Sequence, residues 1–165
     1  MKDATVSFVV DRTAPVVTVT GLAANGRYQT DKQVVTIIPT DDGGALNSLI
    51  VRMVDESGKE TKELINLSGK TLEEALEAGF GKIVFEIEEG LYQNVQIICN
   101  DCAVDEEGNT NTYDEIFTNV SVSSSAFMIF WANRPLRYGV IAGTVVAAAA
   151  VILLIVLKKR KKKEQ

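Results

Sequence analysis

Residues 16–38 read VVTVTGLAANGRYQTDKQVVTII. Two short runs rich in β-branched residues, Val16–Thr20 and Val34–Ile38, stand on either side of the turn formers Gly21 and Asn25-Gly26. Alternation of period two with punctuation of this kind is what half-buried strands require. Working outward, the same pattern recurs at Leu49–Val54, Thr61–Leu67, Lys82–Ile87, Val95–Cys99 and Glu115–Val122. Ser57-Gly58, Glu89-Gly90 and Gly108-Asn109 lie among the turns between them, and upstream Ala4, Val6, Phe8 and Val10 alternate as well. One stretch departs from the pattern. Thr71-Leu72-Glu73-Glu74 reads as a capping box, Leu72, Ala75 and Leu76 recur at helical spacing, and Gly79 stands where a short helix would stop.

Seven strands after Pro15, with turns about every 8–15 residues and one helix in a connection, predict an all-β domain. An immunoglobulin-like β-sandwich fits this spacing, and a Greek-key barrel fits it almost as well. In such a sandwich Val16–Thr20 and Val34–Ile38 carry core residues, with Ile38 expected to be buried.

The 165 residues contain no histidine and carry a net charge of −5. A Ser-His-Asp or Cys-His relay, a Cys₂His₂ zinc site and a 2-His-1-carboxylate iron site are therefore all excluded. The charge is unevenly placed. Residues 1–133 hold nine Lys and Arg against twenty-one Asp and Glu, whereas residues 158–165 hold six against one. An acidic main portion is repelled by phosphate backbones, which argues against nucleic acid as a partner.

Tyr138–Leu157 (YGVIAGTVVAAAAVILLIVL) runs twenty residues without a charge. As a helix it would be about 30 Å long, the thickness of a bilayer's hydrocarbon core, so a single transmembrane helix is expected there. The cluster Lys158-Lys159-Arg160-Lys161-Lys162-Lys163 that follows should stay cytoplasmic, which puts the acidic portion outside the cell. Trp131 and Tyr138 suit the outer interface. The organisation expected is a closing strand and linker over 1–14, the β-domain over 15–125, a juxtamembrane segment over 126–137, the membrane helix over 138–157 and a basic tail over 158–165.

Several motifs resemble the bacterial immunoglobulin-like repeats of large Gram-positive surface proteins. They are Asp11-Arg12-Thr13-Ala14-Pro15 followed by Val16–Gly21, then Asn25-Gly26-Arg27-Tyr28, Thr40-Asp41-Asp42, and Asp105-Glu106-Glu107-Gly108-Asn109-Thr110. In that family D-[KR]-T-A-P opens a repeat and D-x-A-G-N-T is the turn before its last strand; Glu107 stands here at the alanine position. The resemblance covers residues 4–122. It implies that residues 4–10 close a preceding repeat and that this is the last repeat before the membrane. No signal-peptide core precedes it, the longest apolar run near the start being Phe8-Val9-Val10, so either the membrane helix serves as its own late signal or, as the resemblance favours, the chain is the tail end of a longer polypeptide. The only prolines, Pro15, Pro39 and Pro135, leave no L-P-x-T-G signal, and anchoring is expected through the helix.

Four features are candidates for chemistry or contact. Cys99-Asn100-Asp101-Cys102 admits a local disulfide if Asn100-Asp101 turns the chain, two unbridged thiols with Cys99 in the core, or a redox pair. Asp11, Asp41, Asp42, Asp101, Asp105 and Glu107 fall at strand ends, either as hard oxygen ligands for Ca²⁺ or as solvated turn residues. Gly139, Gly143 and Ala147 place small residues on one face of the membrane helix, a candidate pairing stripe. Ala126–Trp131 (AFMIFW) reads either as a collar in the outer interface or as an upstream extension of the membrane helix. No cofactor, metal or catalytic residue is expected. The function expected is a non-catalytic, membrane-anchored extracellular spacer or adhesin-type domain that tethers upstream domains to the cell surface. Its rivals are the C-terminal anchor of a surface glycan or wall hydrolase and a ligand-binding surface module.

Overall fold

The structure, a computed structural model, describes residues 13–42, 45–104 and 110–161. The Ala4–Val10 alternation, Asp11-Arg12, Gly43-Gly44, the Asp105–Asn109 loop and residues 162–165 of the basic tail lie outside the described residues.

The strand β1 (Val16–Thr20) has the predicted bounds. After it come β2 (Arg27–Tyr28), β3 (Lys32–Thr40), β4 (Leu46–Val54) and β5 (Glu60–Ser68), then the helix α1 (Lys70–Ala78), and then β6 (Ile83–Glu88), β7 (Gly90–Val104) and β8 (Thr110–Val122). Among the described residues the strands form two sheets, a three-stranded one in the order β1-β3-β6 and a five-stranded one in the order β2-β8-β7-β4-β5. All the pairings are antiparallel except that of β2 with β8. Among the described residues no strand belongs to both sheets, an arrangement of two sheets and not of one closed barrel.

The core lies between the two sheets because alternate residues of each point inward. Val35 and Ile37 of β3 and Ile83, Phe85 and Ile87 of β6 meet Leu49 and Val51 of β4 and Val95, Ile97 and Cys99 of β7 in one cluster. Burial alternates along β6 without a break, and Val84, Glu86 and Glu88 face solvent. In β3 the buried residues are Val35, Ile37 and Pro39. Ile38, expected in the core, points the other way and is only half-buried. The doublets Val34-Val35 and Ile37-Ile38 give an apolar residue to either face, and the pairing of Ile37 with Ile83 selects the odd-numbered one.

The helix α1 presents the expected face: Leu72 is fully buried, with Ala75 and Leu76 packed against the core. Its start differs from the capping box. The helix begins at Lys70 after Gly69, and no side chain caps it. The Thr71 hydroxyl instead accepts from the Ser68 amide (3.0 Å) and donates to the Ser68 carbonyl (2.8 Å), which ties the helix to the end of β5. Gly79 ends it as expected, its amide donating to the Ala75 carbonyl at 3.0 Å.

The strand absent from the sequence reading is β2. Only two residues long, it lies beside Ser121 and Val122 of β8. The Ser121 amide donates to the Gly26 carbonyl (2.9 Å) and the Ser123 amide to the Tyr28 carbonyl (3.1 Å). The Arg27 guanidinium adds a bond to the Asn119 carbonyl (2.9 Å). In β8, Asn119 adopts a left-handed φ of 57°, a bulge that lets Phe117 and Val120 both point into the core.

Candidate functional site

Beyond Val122 the chain leaves the sheet and turns at once into the helix α2 (Ala126–Ala132). Ser125 caps it, its hydroxyl accepting from the Met128 amide at 3.4 Å. Asn133 then serves two helices. Its amide donates to the Phe130 carbonyl (3.1 Å), closing α2, while its carbonyl accepts from Arg137 (3.0 Å) and its side-chain oxygen from the Leu136 amide (3.4 Å), opening α3 (Arg134–Lys161). Pro135 sits in the first turn of α3, where its missing N–H costs nothing. The segment AFMIFW is therefore a separate helix and not an upstream extension of α3.

Within α3, the residues Arg134–Lys158 have a mean hydropathy of 3.0 over their most apolar window, and none of that window is buried. The helix is long and apolar enough to cross a membrane, and it exceeds the expected Tyr138–Leu157 span at both ends. Its large apolar side chains, from Val140 to Leu157, are exposed along the described length. The Thr144 hydroxyl, inside the run, donates to the Ile141 carbonyl at 2.8 Å. Gly139, Gly143 and Ala147 are exposed, and a Cβ added at either glycine would meet nothing.

At the head of α3, the Arg134 guanidinium lies over the Tyr92 ring, 5.2 Å from its centroid. Tyr92 has a left-handed φ of 57° at the irregular start of β7. Its amide donates to the Ser121 hydroxyl (3.1 Å), which fixes this bend against β8. An open hollow between Tyr92, Asn94, Asn119 and Arg134 separates the sandwich from the helix. The sequence held no signal for this contact, because Tyr92 and Arg134 lie on elements joined only through tertiary structure.

The two cysteines are unbridged. Asn100-Asp101 does not turn; the strand β7 continues through it, both residues pairing with β4 and Asn100 also with β8, although the register shifts here on both sides. Three residues apart in extended chain, Cys99 is fully buried and Cys102 is exposed. Burial pushes the Cys99 thiol up to about 11, and the Asp41 and Asp101 carboxylates add to the effect. A thiol with so high a pKa is a poor nucleophile at neutral pH.

Asp101 is fully buried, with the Asn111 amide donating to its carboxylate at 3.4 Å. Both carboxylate oxygens of Asp41 are buried without a hydrogen-bond partner, whereas Asp42 is exposed. Asp11, Asp105 and Glu107 lie outside the described residues. Among those described, no group of three or more His, Cys, Asp or Glu is placed to hold a metal ion.

No protein-family model, no curated protein and no solved structure matches this chain.

Proposed function

We propose that the chain is a membrane-anchored extracellular spacer, in which an immunoglobulin-like sandwich stands above the bilayer and α3 spans it. The observation that carries this reading is the run from β8 into α3: a folded β-domain passes within a dozen residues into a membrane-length helix whose most apolar window is not buried by the described residues. Strand order supports the immunoglobulin-like assignment. The arrangement β1-β3-β6 against β8-β7-β4 corresponds to strands A-B-E against G-F-C of such domains, with β5 added beside the third of these. The motifs shared with Gram-positive surface repeats point the same way. Six cations directly after the apolar run favour a cytoplasmic tail and an external sandwich. In this reading the domain is not an enzyme; its mechanism is to hold upstream domains at a fixed distance, and the Lys-rich stop resists extraction of the helix.

The test is a display experiment. A secreted enzyme fused in place of residues 1–14 should show its activity on whole cells, and deletion of residues 138–163 should release that activity into the medium. Activity that stays cell-bound after the deletion would refute anchoring by α3. Activity found only inside the cell would refute the orientation.

A further inference from the structure

Four large hydrophobic side chains stand exposed on the two turns of α2: Phe127 (67%), Met128 (41%), Phe130 (38%) and Trp131 (39%). Single exposed hydrophobes are ordinary, but four together on seven uncharged residues form a patch that calls for an apolar partner. The helix also lies close to the sandwich. Ala132 is buried (1% exposed), the Ser123 amide bonds to the Tyr28 carbonyl, and only three residues separate Val122 from Ala126. The patch therefore lies beside β2 and β8, close to the end of the sandwich. Phe127 and Trp131 stack with centroids 5.9 Å apart, which makes one broad aromatic face.

We propose that this face docks into the outer interface of the bilayer, so that the sandwich rests on the membrane instead of swinging above it. The inference rests on the reading that α3 spans. Position selects the occupant: Asn133 alone separates α2 from α3, which holds the patch at the level of the headgroups when the apolar run fills the hydrocarbon. Chemistry agrees with position. An indole prefers the interface, where its ring is in apolar surroundings and its N–H meets water or ester oxygens, and Phe and Met bury beside it. Arg134 and Arg137 follow directly, cations suited to lipid phosphates, and residues 116–133 contain no charge to oppose insertion.

Trp131 is the only tryptophan, so its fluorescence reads this face alone. The full chain is reconstituted into vesicles of phosphatidylcholine and phosphatidylglycerol and checked for resistance to carbonate extraction. The expected result is blue-shifted emission, protection from aqueous iodide, and stronger quenching by lipids brominated near the glycerol end of the acyl chain than by lipids brominated near the methyl end. Replacing Phe127, Met128 and Phe130 together with serine should red-shift the emission and restore iodide quenching, with the sandwich still folded by amide exchange. Resistance to carbonate with Trp131 open to iodide would overturn the docking and leave the anchor standing. Protection from iodide without bromolipid quenching, disappearing on dilution of protein in lipid, would assign the face to a second copy and also overturn it. Extraction by carbonate would overturn both readings together.

Discussion

The Arg134 guanidinium stacks over the Tyr92 ring at 5.2 Å, joining the first residue of the apolar helix to the β-domain. A cation over an aromatic face at an exposed site is worth about 0.5–1 kcal/mol, enough to bias an orientation and too little to hold a fold. Tyr92→Leu should therefore leave the denaturation midpoint of the sandwich nearly unchanged. It should broaden the distance distribution between spin labels on β5 and on α3. An unchanged distribution would show that the Asn133 junction alone sets the angle.

Burial on β3 separates two neighbouring isoleucines. Ile37 is fully buried, and Ile37→Ala should cost roughly 2–5 kcal/mol through lost transfer energy and a residual cavity. Ile38→Ala, on the half-buried outer face, should cost well under half of that. Urea denaturation of the two variants measures the difference; equal losses would mean that the strand is one residue out of register.

Only Cys102 should react with a thiol reagent in the native protein at neutral pH, with Cys99 becoming reactive on denaturation. Alkali provides a second readout. The folded Cys99 thiol titrates at about 11 against an ordinary 9.0, so it holds its proton more tightly than the unfolded chain does. Its contribution to stability is complete below about 9 and is lost as the pH rises through about 11. Cys99→Val should flatten that part of the stability profile. Tyr113 and Lys32, also raised, titrate in both proteins and cancel in the comparison.

Neutralising Asp41, whose carboxylate oxygens are buried, tests the acidic end of the sandwich. A carboxylate without donors is costly to bury, so Asp41→Asn should hold or raise the melting temperature, and calcium should not change it in either protein. A calcium-dependent rise in the parent that Asp41→Asn abolishes would make this end a cation site and the spacer account incomplete.

Seven of the eight strands among the described residues and the apolar helix were legible because each is a local pattern: β1 was bounded correctly, and the helical spacing of Leu72, Ala75 and Leu76 marked α1. What stayed hidden depended on partners distant in sequence. Arg27-Tyr28 is too short to carry a period and is a strand only because β8 lies beside it. Asn100-Asp101 has turn-forming residues, but both pair with β4 and Asn100 also with β8, so tertiary pairing overrides local preference. Thr71 has the residue type of a cap yet binds backward to Ser68, which moved the helix start. The contact of Tyr92 with Arg134 and the seat of α2 on the sandwich had no signature in the sequence at all.

The parallel alignment of β2 with β8 determines how the domain would respond to tension. If upstream domains are tugged while the tail is held, the load enters through β1 and leaves through the end of β8. The hydrogen bonds from Ser121 to Gly26, from Ser123 to Tyr28 and from Arg27 to Asn119 then lie across the direction of pull. Such bonds must rupture together in shear and cannot open one after another as in a zipper. A single-molecule pull through the two ends should meet one high force peak that Arg27→Ala lowers, whereas a low, stepwise release would mean that these strands bear no load.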